Sequence, residues 1–578
     1  MKEMHSAWNP GLGSEIPRAY RKLETIHRPE NVSSSMRDIE EISALTGLKE
    51  KDLVVFRPDR LALHELIVRI TADIVVLEGR DEIELGRNFR LIARTMLNRH
   101  IEPTMPGLRQ EFERLRTRVY SYVSQAISET LFNAPNPVLQ KRRFFPIQLG
   151  HKKKLASPDS ESILEREHKA LSAFKEKGLA ARDPLSSVIY KNIYLVLGSI
   201  AGNRGYLGPD REFLINLVCN RVCNTYGSEH IGGLIAPLIE KAVKMEGYSR
   251  ITNAHTPLLV SLKGASAAGK SSLRPMLKQL MQEHGIKPGG YATISPDIWR
   301  RLLLDYGALG DAYKYAGRLT SQEVVVIDGK LDRYIQDKAD RLGAMPHLLV
   351  DRFRFDSFST ERITRILHAT YLKHVHTLTM YFLVTPPHAA VERGWERGLM
   401  TGRYKAVEDF LDHSVEAYIG MPKILFKWLA YDRPLFRYDI LDNSVPKGTY
   451  PNRVAFGTQK EMNILDCSVF IDIERYQKIN IRARSPEEVY PSESMLSVEN
   501  NIGFLKQCIG RIPRVNFLDQ VTGVSYLKVR NGVFSIVDRL IFDEKLKDAE
   551  RFGILTALAP HLVNLSNATA APCQPDSG

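Results

Sequence analysis

Cysteine is scarce in this chain of 578 residues: five, at Cys219, Cys223, Cys467, Cys508 and Cys573, too few and too scattered for a disulfide framework. A reducing compartment is the expectation. Cys219 and Cys223 lie about one helical turn apart, and with no second pair of ligands nearby they read as core or helix-surface residues rather than as metal or redox residues. The histidines form no metal pattern either, since His374 and His376 are two apart and His413 is isolated. No apolar run approaches the roughly 18 to 20 residues that span a bilayer. Met1 to Ser6 has no following hydrophobic segment of signal-peptide type. The expectation is a cytoplasmic chain without stable membrane insertion, for which delivery into a host cell by a route that reads an unstructured leader stays open. Internal repeats are lacking too.

What is present is ample apolar content, 43%, which excludes wholesale disorder, and a net charge of +13 from 80 basic and 67 acidic residues. That balance favours anionic ligands or surfaces without naming one. The length predicts two or three domains. Residues 1–35, with Ser33-Ser34-Ser35, read as a flexible leader, and 36–250 as a mostly helical domain with apolar spacings of three and four from Leu61 to Asp73 and from Phe112 to Phe132. Inside it, Asn136-Pro137, Lys141-Arg142-Arg143 and Lys152-Lys153-Lys154 mark a basic crossing, read as a solvated loop with phosphate or nucleic-acid contact as the lesser alternative.

Between 251 and 460 strands and helices alternate, which predicts an α/β domain with a mostly parallel sheet covered on both faces. The strand candidates are Leu258 to Leu262, Tyr291 to Ile294, Val324 to Ile327, His347 to Val350, Leu378 to Val384 and Phe436 to Leu441. Residues 461–565 read as a small α+β appendage, in which Asn531-Gly532 turns a hairpin between Val524 to Val529 and Val533 to Val537. Residues 566–578 read as a disordered tail.

The informative motif is Gly264-Ala265-Ser266-Ala267-Ala268-Gly269-Lys270-Ser271, which follows the first strand candidate and fits G-x-x-x-x-G-K-S/T. Glycines at both ends let the backbone wrap a phosphate with inward N–H groups, and the next helix, expected from Lys270 to His284, offers unsatisfied amides. Lys270 would reach the β- and γ-phosphates of ATP, Ser271 would hold magnesium, and Ser272 completes the cofactor-binding stretch. The alternative is a chance glycine-rich turn. Alcohol phosphorylation also needs a carboxylate that orients the hydroxyl. Asp297, at the carboxyl end of Tyr291 to Ile294, is the candidate base, against an N-cap role for the helix that follows. Arg300 and Arg301 come next, as substrate contacts or surface residues. Asp351, after His347 to Val350, is the candidate acid for magnesium, with Asp328 a lesser one because Val324 to Ile327 could also be helical; the run Asp351-Arg352-Phe353-Arg354-Phe355-Asp356 leaves the acid open. Arg393, Arg397 and Arg403 are lid candidates over the phosphates, or a basic surface helix paired with Glu392 and Glu396.

From Leu258 to Phe456, about a third of the chain, the sequence resembles the zeta-toxin-like P-loop kinases. The resembling features are Gly264 to Ser271, Asp297 with Trp299-Arg300, Arg393 to Arg403, and Tyr438-Asp439-Ile440-Leu441-Asp442-Asn443-Ser444. The resemblance implies Lys270 and Ser271 on ATP phosphates and magnesium, Asp297 as the catalytic acid residue, and Arg397 and Arg403 as lid arginines with Arg393 as the alternative member. That family includes kinases of the 3′-hydroxyl of UDP-N-acetylglucosamine and, among effectors injected into plant cells, of NAD. The wide spacing from Ser271 to Asp297 and the helical region upstream look more like the effector branch. The expected function is an ATP- and magnesium-dependent small-molecule kinase of a ribose or sugar hydroxyl on a nucleotide-like substrate, with a neutralising or host protein as a further partner. The alternatives are a polynucleotide 5′-hydroxyl kinase and a non-transferring ATP-driven switch that binds a protein partner.

Overall fold

The computed structural model describes residues 5–132, 163–352, 371–446 and 448–569. The basic runs Lys141 to Arg143 and Lys152 to Lys154, the segment Phe353 to Asp356, Cys573 and most of the expected tail lie outside them.

A ten-stranded sheet runs through the molecule in the order β10-β9-β8-β7-β6-β5-β4-β1-β3-β2. Its strands are β1 (Leu258–Lys263), β2 (Tyr291–Ile294), β3 (His347–Asp351), β4 (Thr377–Val384), β5 (Leu435–Asp442), β6 (Asn452–Thr458), β7 (Glu461–Ile464), β8 (Arg514–Leu518), β9 (Ser525–Arg530) and β10 (Val533–Ile536). The five strands β5, β4, β1, β3 and β2 pair in parallel, as apolar runs buried on both faces should. Every residue of β1 is buried, and Leu262 registers with Asp351 on β3 and with Tyr381 on β4. Parallel pairing puts the carboxyl ends of β1, β2 and β3 on one edge of the sheet, where open α/β sheets bind ligands.

One expected strand is a helix instead. Val324 to Ile327 is not a strand; it lies in the first turns of a helix, Ser321–Leu342. A run of β-branched residues imitates a buried strand, yet Val324, Ile327, Leu331, Ile335 and Ala339 are buried at helical spacing. The strands after residue 460 continue the same sheet. β6 pairs antiparallel with both β5 and β7, and β7 pairs in parallel with β8, so the backbone ladder continues into the hairpin β9–β10.

The helices before the sheet are α1 (Met36–Thr46), α2 (Pro58–Asp73), α3 (Glu82–Met96), α4 (Met105–Ile127), α5 (Ile163–Ala180), α6 (Pro184–Arg204), α7 (Arg211–Val222) and α8 (Ser228–Glu246). Those within and after it include α9 (Arg274–Glu283), α10 (Ser321–Leu342), α11 (Pro387–Thr401) and α12 (Val407–Leu429). α2 is buried from Arg60 to Asp73 and packs on α8, α10 and β2, which joins the helical region to the sheet in one hydrophobic core. By length and composition α6 is apolar enough to cross a membrane, contrary to the sequence expectation. Its Ile189, Ile193, Val196, Leu197 and Ile200 are buried where it packs on α5, α7 and α1. Cys219 and Cys223 are buried thiols of the helical core. Residues 5–35 pack rather than stand loose: Ile26 and Val32 are buried, Thr25 N–H donates to the Leu319 carbonyl (2.9 Å), and Lys314 Nζ donates to the Pro10 carbonyl (2.6 Å).

Candidate functional site

The glycine-rich loop leaves β1 at its carboxyl end and returns through a 3-10 turn, Lys270–Leu273, into α9, a tighter start than the single helix expected. The backbone demands glycine at two places. Gly269 has φ +90° with the Asn443 amide where a side chain would stand, and a Cβ on Gly264 would lie 3.1 Å from Leu383 Cβ and 3.2 Å from its carbonyl oxygen. Asn443 Nδ2 and Thr385 Oγ1 both donate to the Ala268 carbonyl, at 2.7 and 3.1 Å, and so tie the loop to the ends of β5 and β4. Lys270 Nζ donates to the carbonyls of Gly264 (3.1 Å) and Ala265 (3.0 Å), spanning the loop from within. Burial lowers its pKa, opposed by the nearby carboxylates of Asp351 and Asp297.

A cavity of about 450 Å³ opens over this loop. Its wall holds Ser266 to Ser272, Asp297, Asp351, Arg393, Arg397 and Arg403, so nearly all the residues singled out in the sequence share one space. Gly264 and Ala265 lie beneath it and contribute carbonyls to Lys270. Asp328 is not part of the wall; it sits on α10, paired with Arg352 at 2.8 Å. The strand it was expected to terminate is a helix, which turns it toward a structural ion pair.

Asp297 lies in a 3-10 turn, Pro296–Trp299, just beyond β2. Its side chain is not a helix cap. Oδ1 accepts from Arg300 Nε (2.8 Å) and Oδ2 from Arg403 (2.5 Å). Enclosure would raise its pKa, but Arg403, Arg300 and Arg397 together hold the carboxyl well below the usual carboxylate range. Arg300 is itself fixed: its NH1 donates to the Gly317 carbonyl (2.6 Å) and to Thr320 Oγ1 (2.8 Å). Its Nε is thereby held against Asp297. Arg403 also reaches Glu82 Oε1 at 3.5 Å.

Arg393 and Arg397 share the inner face of α11, as their spacing requires. Arg393 donates to the Val445 carbonyl at 2.7 Å. Arg397 Nε is buried without a hydrogen-bond partner, and burial, with Arg403 close by, lowers its pKa to about 10. A buried guanidinium nitrogen left unpaired at a cavity wall fits an anion. At the end of α11 Gly402 turns the chain with φ +72°, against the Tyr313 hydroxyl, and delivers Arg403 to Asp297.

A hard cation has a partial donor set here. Ser271 and Asp351 share the wall, a hydroxyl and a carboxylate suited to a magnesium ion that keeps most of its water and phosphate ligands. Among the described residues no group of three or more His, Cys, Asp or Glu converges on a metal, so an all-protein metal cage is not built.

Sequence reasoning missed three contributors. Lys405 Nζ donates to Ser266 Oγ (2.9 Å) and contacts His413 Nδ1 (2.5 Å), which holds the loop from the α12 side. Burial, opposed by Asp409, keeps the Lys405 pKa well below its usual value, and burial and Lys405 lower that of His413 to about 2. Arg80, Asp81, Glu82 and Ile83, from the start of α3, line the cavity, as do Val445, Pro446, Gly448 and Thr449 after β5. None lies within a motif, and only the folded chain brings them to the loop.

No family profile matches the chain, and no curated protein matches it. It is similar to a solved structure from the PezAT chromosomal toxin–antitoxin system of the human pathogen Streptococcus pneumoniae, at 17% identity over 33% of this chain and 71% of that one, with a TM-score of 0.24. The likeness is confined to about a third of this chain.

Proposed function

We propose that this protein is an ATP- and magnesium-dependent kinase that transfers a phosphoryl group to a hydroxyl of a small, nucleotide-like substrate. The observation that carries the reading is that a glycine-rich loop with Lys270 at its centre, the carboxylates Asp297 and Asp351 and the guanidinia Arg393, Arg397 and Arg403 line one cavity. Bound magnesium would supply Lewis-acid charge neutralisation on the phosphates, held by Ser271 directly and by Asp351 through water. The loop amides and Lys270 bind the phosphate chain, with Lys270 exchanging its contacts with Gly264 and Ala265 for phosphate oxygens. Arg397 and Arg393 neutralise charge on the transferring group.

Asp297 accepts the hydrogen bond of the attacking hydroxyl and orients it. Its low basicity in the arginine pair suits late proton transfer, because a loose transition state needs little deprotonation before bond making. For the hydroxyl to reach it, Arg403 must share or release Oδ2. The test is transfer of label from γ-labelled ATP with magnesium into a metabolite extract, read by mass spectrometry. Lys270→Ala should lose transfer and ATP binding together. Asp297→Asn should lose about 100-fold or more in transfer while still binding ATP. Undiminished transfer by Asp297→Asn would remove it from this role, and phosphate release without any labelled acceptor would refute the kinase reading.

A further inference from the structure

We propose that Arg90, Arg301 and Tyr306 form an anion subsite beside Asp297 that seats the phosphate or pyrophosphate group of the acceptor itself. The proposal rests on the phosphoryl-transfer reading of the cavity and adds where the acceptor's charge is held.

Three features meet at this place. Arg301 stacks 4.6 Å over the ring of Tyr306 and donates to the Thr401 carbonyl (2.5 Å) on the cavity wall. The Tyr306 hydroxyl is buried with no hydrogen-bond partner, although the residue is 3% exposed, and it lies in the field of Arg300, Arg403, Asp297 and Arg301. A buried hydroxyl left unsatisfied is unusual and calls for a partner. On α3, one helical face carries Arg87, Arg90 and Arg94, and among the described residues none of these, nor Arg301, forms an ion pair with a carboxylate. Arg90 is half-buried, and burial, then Arg301, Arg94 and Arg87, lowers its pKa. Like charges gathered against a tyrosine hydroxyl are destabilising unless an anion joins them, and guanidinia match phosphate oxygens in bidentate geometry.

The position also suits the chemistry. Glu82, at the start of the same helix, reaches Arg403, Arg403 reaches Asp297, and Arg301 is tied to Thr401 on the cavity wall, so the subsite adjoins the cavity. An acceptor anchored there by its own phosphate presents a sugar hydroxyl toward Asp297. The helical region thereby contributes to the choice of acceptor, through Arg90.

The test uses the full chain and inorganic pyrophosphate as probe, titrated calorimetrically into Lys270→Ala protein and into the wild type saturated with magnesium and a non-hydrolysable ATP analogue. Both should bind pyrophosphate. Adding Arg90→Gln with Arg301→Gln should weaken that binding by about tenfold or more, the loss of one to two charge-assisted contacts. Tyr306→Phe, which keeps the ring packing, should weaken it by a smaller factor at an unchanged melting temperature. In the transfer assay the double variant should raise the acceptor KM with kcat little changed. No pyrophosphate binding in the Lys270→Ala protein, or equal binding with and without the two arginines, overturns the subsite. Failure of the kinase reading would appear separately, as phosphate release from ATP by the wild type with no labelled acceptor.

Discussion

At the scale of single residues, the loop and Asp297 carry the sharpest expectations. Gly269 combines a left-handed backbone with a side-chain position already taken by the Asn443 amide. Gly269→Ala should lower stability by about 1–2 kcal/mol and weaken ATP binding, measured by denaturant unfolding and calorimetry. Asp297 is held ionised by Arg403 and Arg300. A base with a lowered pKa stays active until pH falls through that lowered value, so kcat should stay flat down the ordinary carboxylate range instead of falling near pH 4 to 5. Arg403→Ala should remove part of that depression and move the acid limb upward. Gly264, Gly269 and Lys270 could be singled out from a motif and Asp297 from its place at a strand end; that Gly269, Lys270 and Asp297 line one cavity is what the fold adds. Lys405 and His413 were not, since nothing in sequence marks a buried lysine that meets both a histidine eight residues on and a loop serine 139 residues back.

Among the elements, α11 and the turn after it decide whether Arg393, Arg397 and Arg403 face the cavity. Gly402 allows the chain to reverse where a Cβ would meet the Tyr313 hydroxyl. Gly402→Ala should therefore displace Arg403, lowering kcat about tenfold or more while ATP binding persists, checked by transfer rate against calorimetric affinity. Elements with one dominant periodicity, such as β1, β4 and α2, could be read from apolar spacing. α10 could not, because Val324 to Ile327 satisfies a strand template over four residues and a helix template only over twenty. β6 and β7 were missed for a related reason: short strands gain their identity from the neighbours they pair with.

For the whole molecule, the joint between helical region and sheet is a buried polar network. Arg60 and His64 of α2 bond Glu323 of α10, at 2.5 and 2.7 Å from Oε1, and Lys330 bonds His64 (3.1 Å) and Ser228 (2.7 Å). Burial, then Lys330, lowers the His64 pKa to about 3, so the folded protein keeps the ring neutral while an unfolded chain takes up a proton below about 6.5. The unfolded state then binds more protons, and the stability present above pH 6.5 is lost as pH falls toward 3. Glu323, lowered by Arg60 and His64 against the effect of its own burial, adds loss of the same sign at still lower pH. Denaturant midpoints measured from pH 7 to 4 should fall, and less steeply in His64→Gln. Glu323→Gln should cost about 3–5 kcal/mol by stranding Arg60. Because α2 also leads into the segment that carries Glu82 and Arg90, loosening this joint should reach the cavity as a raised acceptor KM.

By itself the sequence determined the glycine-rich loop and the sheet that displays it, because close backbone approach and burial on both faces of a strand each impose local residue choices. Tertiary structure alone decided that the helical region borders the cavity and that the last strands extend the same sheet. The contact of Glu82 with Arg403 joins residues 321 positions apart, and no local pattern encodes which distant surfaces will bury each other.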